Sequence, residues 1–168
     1  HDRMLGRAEV ASRDGLRDLV REAAQESVDQ KFSLAFLVAE WTEVVDAWQL
    51  DSWEAYRDVA RLGRKTRLPE KQRQALWAIF DRVRTGLTER RLVTQADLYS
   101  RLAAHLAGGE RLPYDFVVVD EAQDVSVAQL RFVAALGGSR PDALFFAGDL
   151  GQRIFRLPFS WRSLGLDI

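Results

Sequence analysis

With 168 residues, 47% of them hydrophobic, the chain is long enough to bury a core, and a formal net charge of -1 excludes a uniformly basic nucleic-acid coat. It has no cysteine, so it forms no disulfide or thiolate metal site, and its two histidines, His1 and His105, stand too far apart to suggest a metal pair. No apolar run reaches membrane-spanning length and no charged-then-apolar leader opens the chain, so no membrane partner is expected.

Residues 1 to about 110 are expected to form helix after helix. Leu16, Leu19, Val20, Ala23, Ala24 and Val28 recur at helical spacing, as do Leu34, Leu37, Trp41, Val44, Val45 and Trp48. Asp51 with Glu54 three residues on predicts a capping box, and Gly63 predicts the stop of that helix. Pro69 suits a first helical position, and Leu76, Trp77, Phe80, Val83 and Leu87 then form one apolar stripe. Thr94 with Asp97 opens a further helix carrying Leu98, Leu102 and Leu106, closed by Gly108-Gly109. The tryptophans at 41, 48, 53 and 77 fall at spacings expected of a core, and His105 is read as a polar position on the Thr94 helix.

The pattern changes at Pro113. Phe116-Val117-Val118-Val119 is a continuous β-branched run of the kind expected for a strand buried on both faces. Asp124 to Leu136 then predicts a helix with Val127, Leu130, Val133 and Ala134 on its apolar face, ended by Gly137-Gly138. A second buried run follows at Ala143–Ala147. Strand, helix and strand at this spacing make a βαβ unit, so the strands should be parallel with a right-handed crossover. The fold expected is α/β, an incomplete parallel-sheet portion over residues 111–168 preceded by an all-α helical subdomain over residues 1–110. Two parallel strands make a poor sheet, and the rest of it is expected in sequence outside this chain or in a partner.

Two motifs carry chemistry. Asp120-Glu121-Ala122-Gln123-Asp124 follows the valine-rich strand directly, and ligand sites in parallel sheets lie outside the carboxyl ends of strands. Phosphoryl transfer from ATP needs one group to hold Mg²⁺ and a second to orient the attacking water, roles that adjacent acids can divide. The plainer alternative is a helix N-terminus decorated with acids. Gly148-Asp149-Leu150-Gly151-Gln152-Arg153-Ile154-Phe155 follows the second strand, where a glycine admits close backbone approach and a glutamine amide can bond a phosphate oxygen. Its alternative is a polar turn after an edge strand.

Together, Asp-Glu-x-Gln-Asp and, one βα unit later, Gly-Asp-x-x-Gln-x-Ile-Phe resemble helicase motifs II and III of the UvrD/Rep-like branch of superfamily 1. The resemblance extends back to Asp97-Leu98, similar to an acidic-leucine pair before motif II. Phe36–Trp41 and Tyr56–Leu68 look like the family's helical insertion, subdomain 1B; residues 1–29 have no assigned counterpart. This resemblance implies a RecA-like P-loop NTPase fold for the second part, with ATP and Mg²⁺ as cofactors. It implies an ATP-dependent, 3′-to-5′ DNA helicase of repair or recombination, cytoplasmic, whose partners are single-stranded DNA and a duplex junction.

Residue by residue, the resemblance implies that Asp120 contributes to Mg²⁺ and nucleotide binding, that Glu121 is the base activating water, and that Gln152 senses the γ-phosphate. Gln123, Asp124 and Asp149 would couple the hydrolysis site to neighbouring motifs. Trp161-Arg162 resembles the aromatic-arginine pair that follows motif III, where the tryptophan stacks on a base for roughly 1–3 kcal/mol. Arg156 to Ser160 lengthens the usual spacing, so Phe155 or Phe159 could share that role; alternatively Phe159 and Trp161 pack a core edge.

No Gly-x-x-x-x-Gly-Lys-Ser/Thr occurs, so nothing here cradles the β- and γ-phosphates. The chain is expected to be an internal piece of a longer helicase, inactive as an ATPase alone, its partner the missing remainder of that chain. From Arg57 to Arg91 there are eleven Lys or Arg against four Asp or Glu, so charge is segregated along the sequence. Arg61, Arg64 and Lys65, in the stretch resembling the insertion that grips duplex DNA, are candidate phosphate contacts; the alternative is a solvated helical face. Two other functions compete with the motor. One is a DNA- or partner-binding module of a helicase-like protein with a degenerate motor. The other, a different P-loop ATPase, is disfavoured by the Gln-Asp extension and the second motif.

Overall fold

A computed structural model describes residues 9–27, 32–59, 68–107, 114–137 and 140–149. The chain divides into two compact units, one of residues 7–97 and one of residues 98–168 together with 1–6.

In the first unit, serine hydroxyls start three of the helices. Ser12 Oγ accepts the Gly15 N–H at 3.0 Å to open α1 (Arg13–Gln25), and Ser33 Oγ accepts the Phe36 N–H at 3.2 Å to open α2 (Leu34–Glu40). The chain then widens into a π-helical turn, Trp41–Asp46. The expected capping box at Asp51 is displaced by one residue. It is Ser52, extended at φ -138 and ψ 157, whose Oγ accepts the Ala55 N–H at 3.3 Å to open α3 (Trp53–Asp58), while Asp51 stays exposed. Pro69 is likewise one position early, the residue just before α4 (Glu70–Glu89). Gly63 and Val28 lie outside the described residues.

The apolar stripes meet as their spacing predicts. Leu19, Val20, Ala23 and Ala24 of α1 pack with Leu37, Trp41, Val44, Val45 and Tyr56, and with Leu76, Ile79, Phe80, Val83 and Leu87 of α4. Gly86 lies where α1 and α4 touch; a Cβ there would come within 2.8 Å of Leu19 Cδ2. Trp41, Tyr56 and Phe80 form the aromatic centre, with the Tyr56 and Phe80 rings edge to face at 5.8 Å. Trp53 and Trp77 pack half-buried against this core. Inside it the Tyr56 hydroxyl donates to Glu40 Oε1 at 3.0 Å, where the glutamate is fully buried.

The helix-after-helix expectation misses one feature. Two short strands, β1 (Glu9–Val10) and β2 (Leu92–Val93), pair in parallel, Val10 opposite Val93. Thr94 directly follows β2, and its Oγ1 accepts the Asp97 N–H at 3.0 Å to open α5 (Gln95–Ala107), as the sequence predicts.

The second unit holds the βαβ segment. Strands β3 (Val117–Val119) and β4 (Leu144–Phe146) are parallel, as expected, and α6 (Val127–Gly137) connects them. This helix does not begin at Asp124. Residues Ala122–Asp124 form a 3-10 turn, and the chain recaps at Ser126. Ser126 Oγ accepts the Gln129 N–H at 3.3 Å, and Gln129 Oε1 accepts the Ser126 N–H at 2.8 Å, a reciprocal capping box. Arg140 closes the other end by donating to Leu136 O at 3.3 Å and to Tyr114 O at 2.8 Å. Burial on both faces is corrected too. Val117, Val119, Leu144 and Phe146 are half-buried, but the paired Val118 and Phe145 point the other way and are 70% and 63% exposed.

Candidate active site

The strand ends place the acids. Beyond the register Val119 opposite Phe146, the ladder continues as Ala147 N–H donates to Val119 O at 2.8 Å and Ala122 N–H to Ala147 O at 2.9 Å. The chain therefore leaves β3 and β4 side by side, and Asp120 and Glu121 sit at their common carboxyl end. Asp120 Oδ1 accepts the Glu121 N–H at 2.8 Å. Glu121 has φ 51 and ψ 44, a left-handed conformation that an L residue adopts at a cost. That turn sends the 3-10 segment across the end of β4, with Asp124 N–H donating to Glu121 O at 2.9 Å. Asp120, Glu121 and Asp124 are exposed, whereas Gln123 is 9% exposed.

Gln123 ties the two motifs together. Its Nε2 donates to Glu121 Oε2, and its Oε1 accepts the Asp149 main-chain N–H at 3.1 Å. Gly148 makes the approach possible, since a Cβ on it would stand 2.4 Å from Gln123 Oε1 and 3.0 Å from Ala122 N. The close backbone approach expected of this glycine is thus made by a protein amide side chain.

Among the described residues no group of three or more His, Cys, Asp or Glu could hold a metal ion. Mg²⁺ of the phosphate-borne kind keeps several waters and needs only one or two carboxylates plus substrate oxygens, a requirement that exposed strand-end carboxylates such as Asp120 meet chemically. Gln152, Phe155, Trp161 and Arg162 lie outside the described residues, as do Arg61, Arg64 and Lys65.

Several arginines of the basic run are turned to structural tasks. Arg57 grips Asp58 through Nε at 2.7 Å and Nη2 at 2.8 Å; this pairing holds the exposed Asp58 carboxyl below its ordinary value. Arg82 Nη1 donates to Ala23 O at 3.3 Å and Ser27 Oγ at 3.1 Å, Arg84 Nη1 to Leu50 O at 2.9 Å, and Arg90 pairs with Glu22. Part of the segregated charge is therefore met in the fold, by Glu22 of α1 and by Glu26 just past its end, which pairs with Arg82 at 3.5 Å. The capping pair Ser126 and Gln129 is one that sequence reasoning misses, and its signal is the Ser-x-x-Gln spacing ahead of an apolar run.

Fold and strand-end acids together define an α/β chain with a helical unit before its parallel strands. The UvrD/REP helicase N-terminal domain matches it over residues 5–163, so the chain belongs to the UvrD/REP helicase family. No curated protein and no solved structure matches it. The family is one of helicase-type enzymes, for which nucleotide, Mg²⁺ and nucleic acid are the general ligand classes. Among the described residues no helix is long and apolar enough to cross a membrane.

Proposed function

We propose that this chain supplies the hydrolysis and coupling residues of an ATP-driven DNA helicase motor. In this reading the motor moves 3′-to-5′ on single-stranded DNA and opens duplex in repair or recombination, in the cytoplasm. Asp120 takes part in holding Mg²⁺ and nucleotide, Glu121 accepts a proton from the attacking water, and Gln152 senses the γ-phosphate. Bound Mg²⁺ supplies charge neutralisation on the phosphates. Gln123, Asp124 and Asp149 couple the two strand ends. Trp161 and Arg162, with Phe155, engage single-stranded DNA, and Arg61, Arg64 and Lys65 engage duplex phosphates.

The observation that carries the reading is Asp120-Glu121 at the carboxyl end of β3, joined to the Gly148-Asp149 end of β4 beside it. Nucleotide sites of parallel sheets occupy that edge. The test is Glu121→Gln in the longest reading frame containing this chain, assayed for DNA-stimulated ATP hydrolysis. We expect turnover to fall by about a hundredfold or more with nucleotide affinity kept, as for removal of a positioned base. Turnover unchanged in E121Q sinks the assignment. The 168-residue chain alone, lacking a Gly-x-x-x-x-Gly-Lys-Ser/Thr loop, is expected to show no turnover, and DNA-stimulated hydrolysis by it would contradict that.

A further inference from the structure

Gln123 is chemically committed at both ends. A glutamine amide offers donors on Nε2 and an acceptor at Oε1, and here the donor faces the Glu121 carboxylate while the acceptor faces the Asp149 N–H at 3.1 Å. Rotating the amide by half a turn would set oxygen against carboxylate and NH₂ against N–H, so one orientation is enforced. The side chain is nearly buried, and its Oε1 lies 2.4 Å from where a Cβ on residue 148 would stand, so the amide occupies space that only a glycine leaves open. At Glu121 the backbone is pinned separately, by the bond from its N–H to Asp120 Oδ1 at 2.8 Å. What remains free in Glu121 is its side chain, and Gln123 holds it.

We propose that Gln123 is a positioning residue through which the main chain after β4 sets where the Glu121 carboxylate points. The inference rests on the reading of Glu121 as the hydrolytic base. A shift of the Asp149 main chain pulls Oε1, turns the amide, and moves or releases the carboxylate at the other end. Asp149 lies three residues before Gln152, so events at the second motif reach the base through one side chain. A tie that only fastened β3 to β4 would need the Oε1 bond and not the Nε2 bond, and that difference makes the idea testable.

Gln123→Glu keeps an acceptor for the Asp149 N–H but replaces the donor with a carboxylate that repels Glu121. Gln123→Met removes both bonds at similar volume. Two measurements are made: steady-state ATP hydrolysis in the full-length helicase containing this chain, and hydrogen exchange of the Asp149 amide. The expectation for Q123E is retained Asp149 protection, KM for ATP within about twofold, and kcat down by about ten- to a hundredfold, the scale of a misplaced catalytic group. Q123M should lose both the protection and the turnover. With E121Q inactive and Q123E keeping kcat within about twofold of the wild type, Gln123 is a structural tie and the proposal is overturned. An active E121Q instead removes the reading of Glu121 beneath it. Should Q123E lose Asp149 protection, Q123M decides: kcat reduced at unchanged KM supports the role, and unchanged kcat overturns it.

Discussion

Asp46 and Gly148 show how single residues carry constraints that neighbours impose. Asp46 Oδ1 accepts from Thr94 Oγ1 at 2.5 Å and Gln49 Nε2 at 3.0 Å. Burial pushes its carboxyl from the ordinary 3.8 up to about 6; the Thr94 and Gln49 hydrogen bonds oppose the rise and the Asp97 charge adds to it. The folded chain then binds a proton more tightly than the unfolded chain between those values. Its stabilising contribution is complete below 3.8 and is lost as pH climbs through 6. Asp46→Asn should flatten the fall in melting temperature between pH 4 and 6 and stabilise the chain at pH 8 by about 1–3 kcal/mol. A melting curve at pH 8 no higher than wild type would contradict this. At Gly148 the constraint is steric. Gly148→Ala sets a methyl group into Gln123 Oε1 and against Ala122 N, so the nearly buried amide must leave its place or the strand ends must part. The expected cost is about 1–3 kcal/mol in urea unfolding, the range for overpacking. An unchanged midpoint would mean that the amide moves aside freely.

Caps and periodicity decide the elements, and they were unequally legible. The 3.6-residue stripes of α1 and α4 announce themselves, and Thr94 with Asp97 marks the start of α5 in sequence and structure alike. The strands β1 and β2 are two residues long, too short for any alternation to register. The π-helical turn is hidden because Trp41, Val44 and Val45 suit an α-helical stripe equally well. At the candidate site, acids after a valine-rich strand were readable, but the Gln123 clamp depends on a left-handed Glu121, which a non-glycine residue does not advertise. The uniformly apolar β3 run suggested burial on both faces, yet Val118 stands open because composition alone does not say what covers a strand. Acids at 120–124 likewise drew the expected start of α6 too early. Its true start rests on the Ser126–Gln129 exchange, so Ser126→Ala should lower stability by about 1 kcal/mol, visible as a lower melting temperature of the chain. Full retention would show that water satisfies the freed Gln129 N–H without it.

Among the described residues, apolar burial is distributed unevenly. The large cluster of buried side chains belongs to residues 7–97, built from α1, α2, α3 and α4 around Trp41, Tyr56 and Phe80. In the other unit the described strands are three residues long, and Phe116, Val118 and Phe145 are more than 60% exposed. Local opening costs little where few apolar contacts must be broken, so the two units should differ in hydrogen-exchange protection. Amides of Leu19–Ala24 and Leu76–Leu87 are expected to exchange last, near the global unfolding rate. Those of β3 and β4 should exchange earlier by local opening, with the Asp149 N–H slower than its neighbours because Gln123 accepts from it. Measured on the 168-residue chain by mass spectrometry with peptide resolution, equal protection in both groups would contradict this division. It would mean that the parallel strand pair gains stability from contacts beyond its own short ladder. The exposed Val118 and Phe145 face would then be the surface to probe first, since covering it is the direct way to slow opening of β3 and β4.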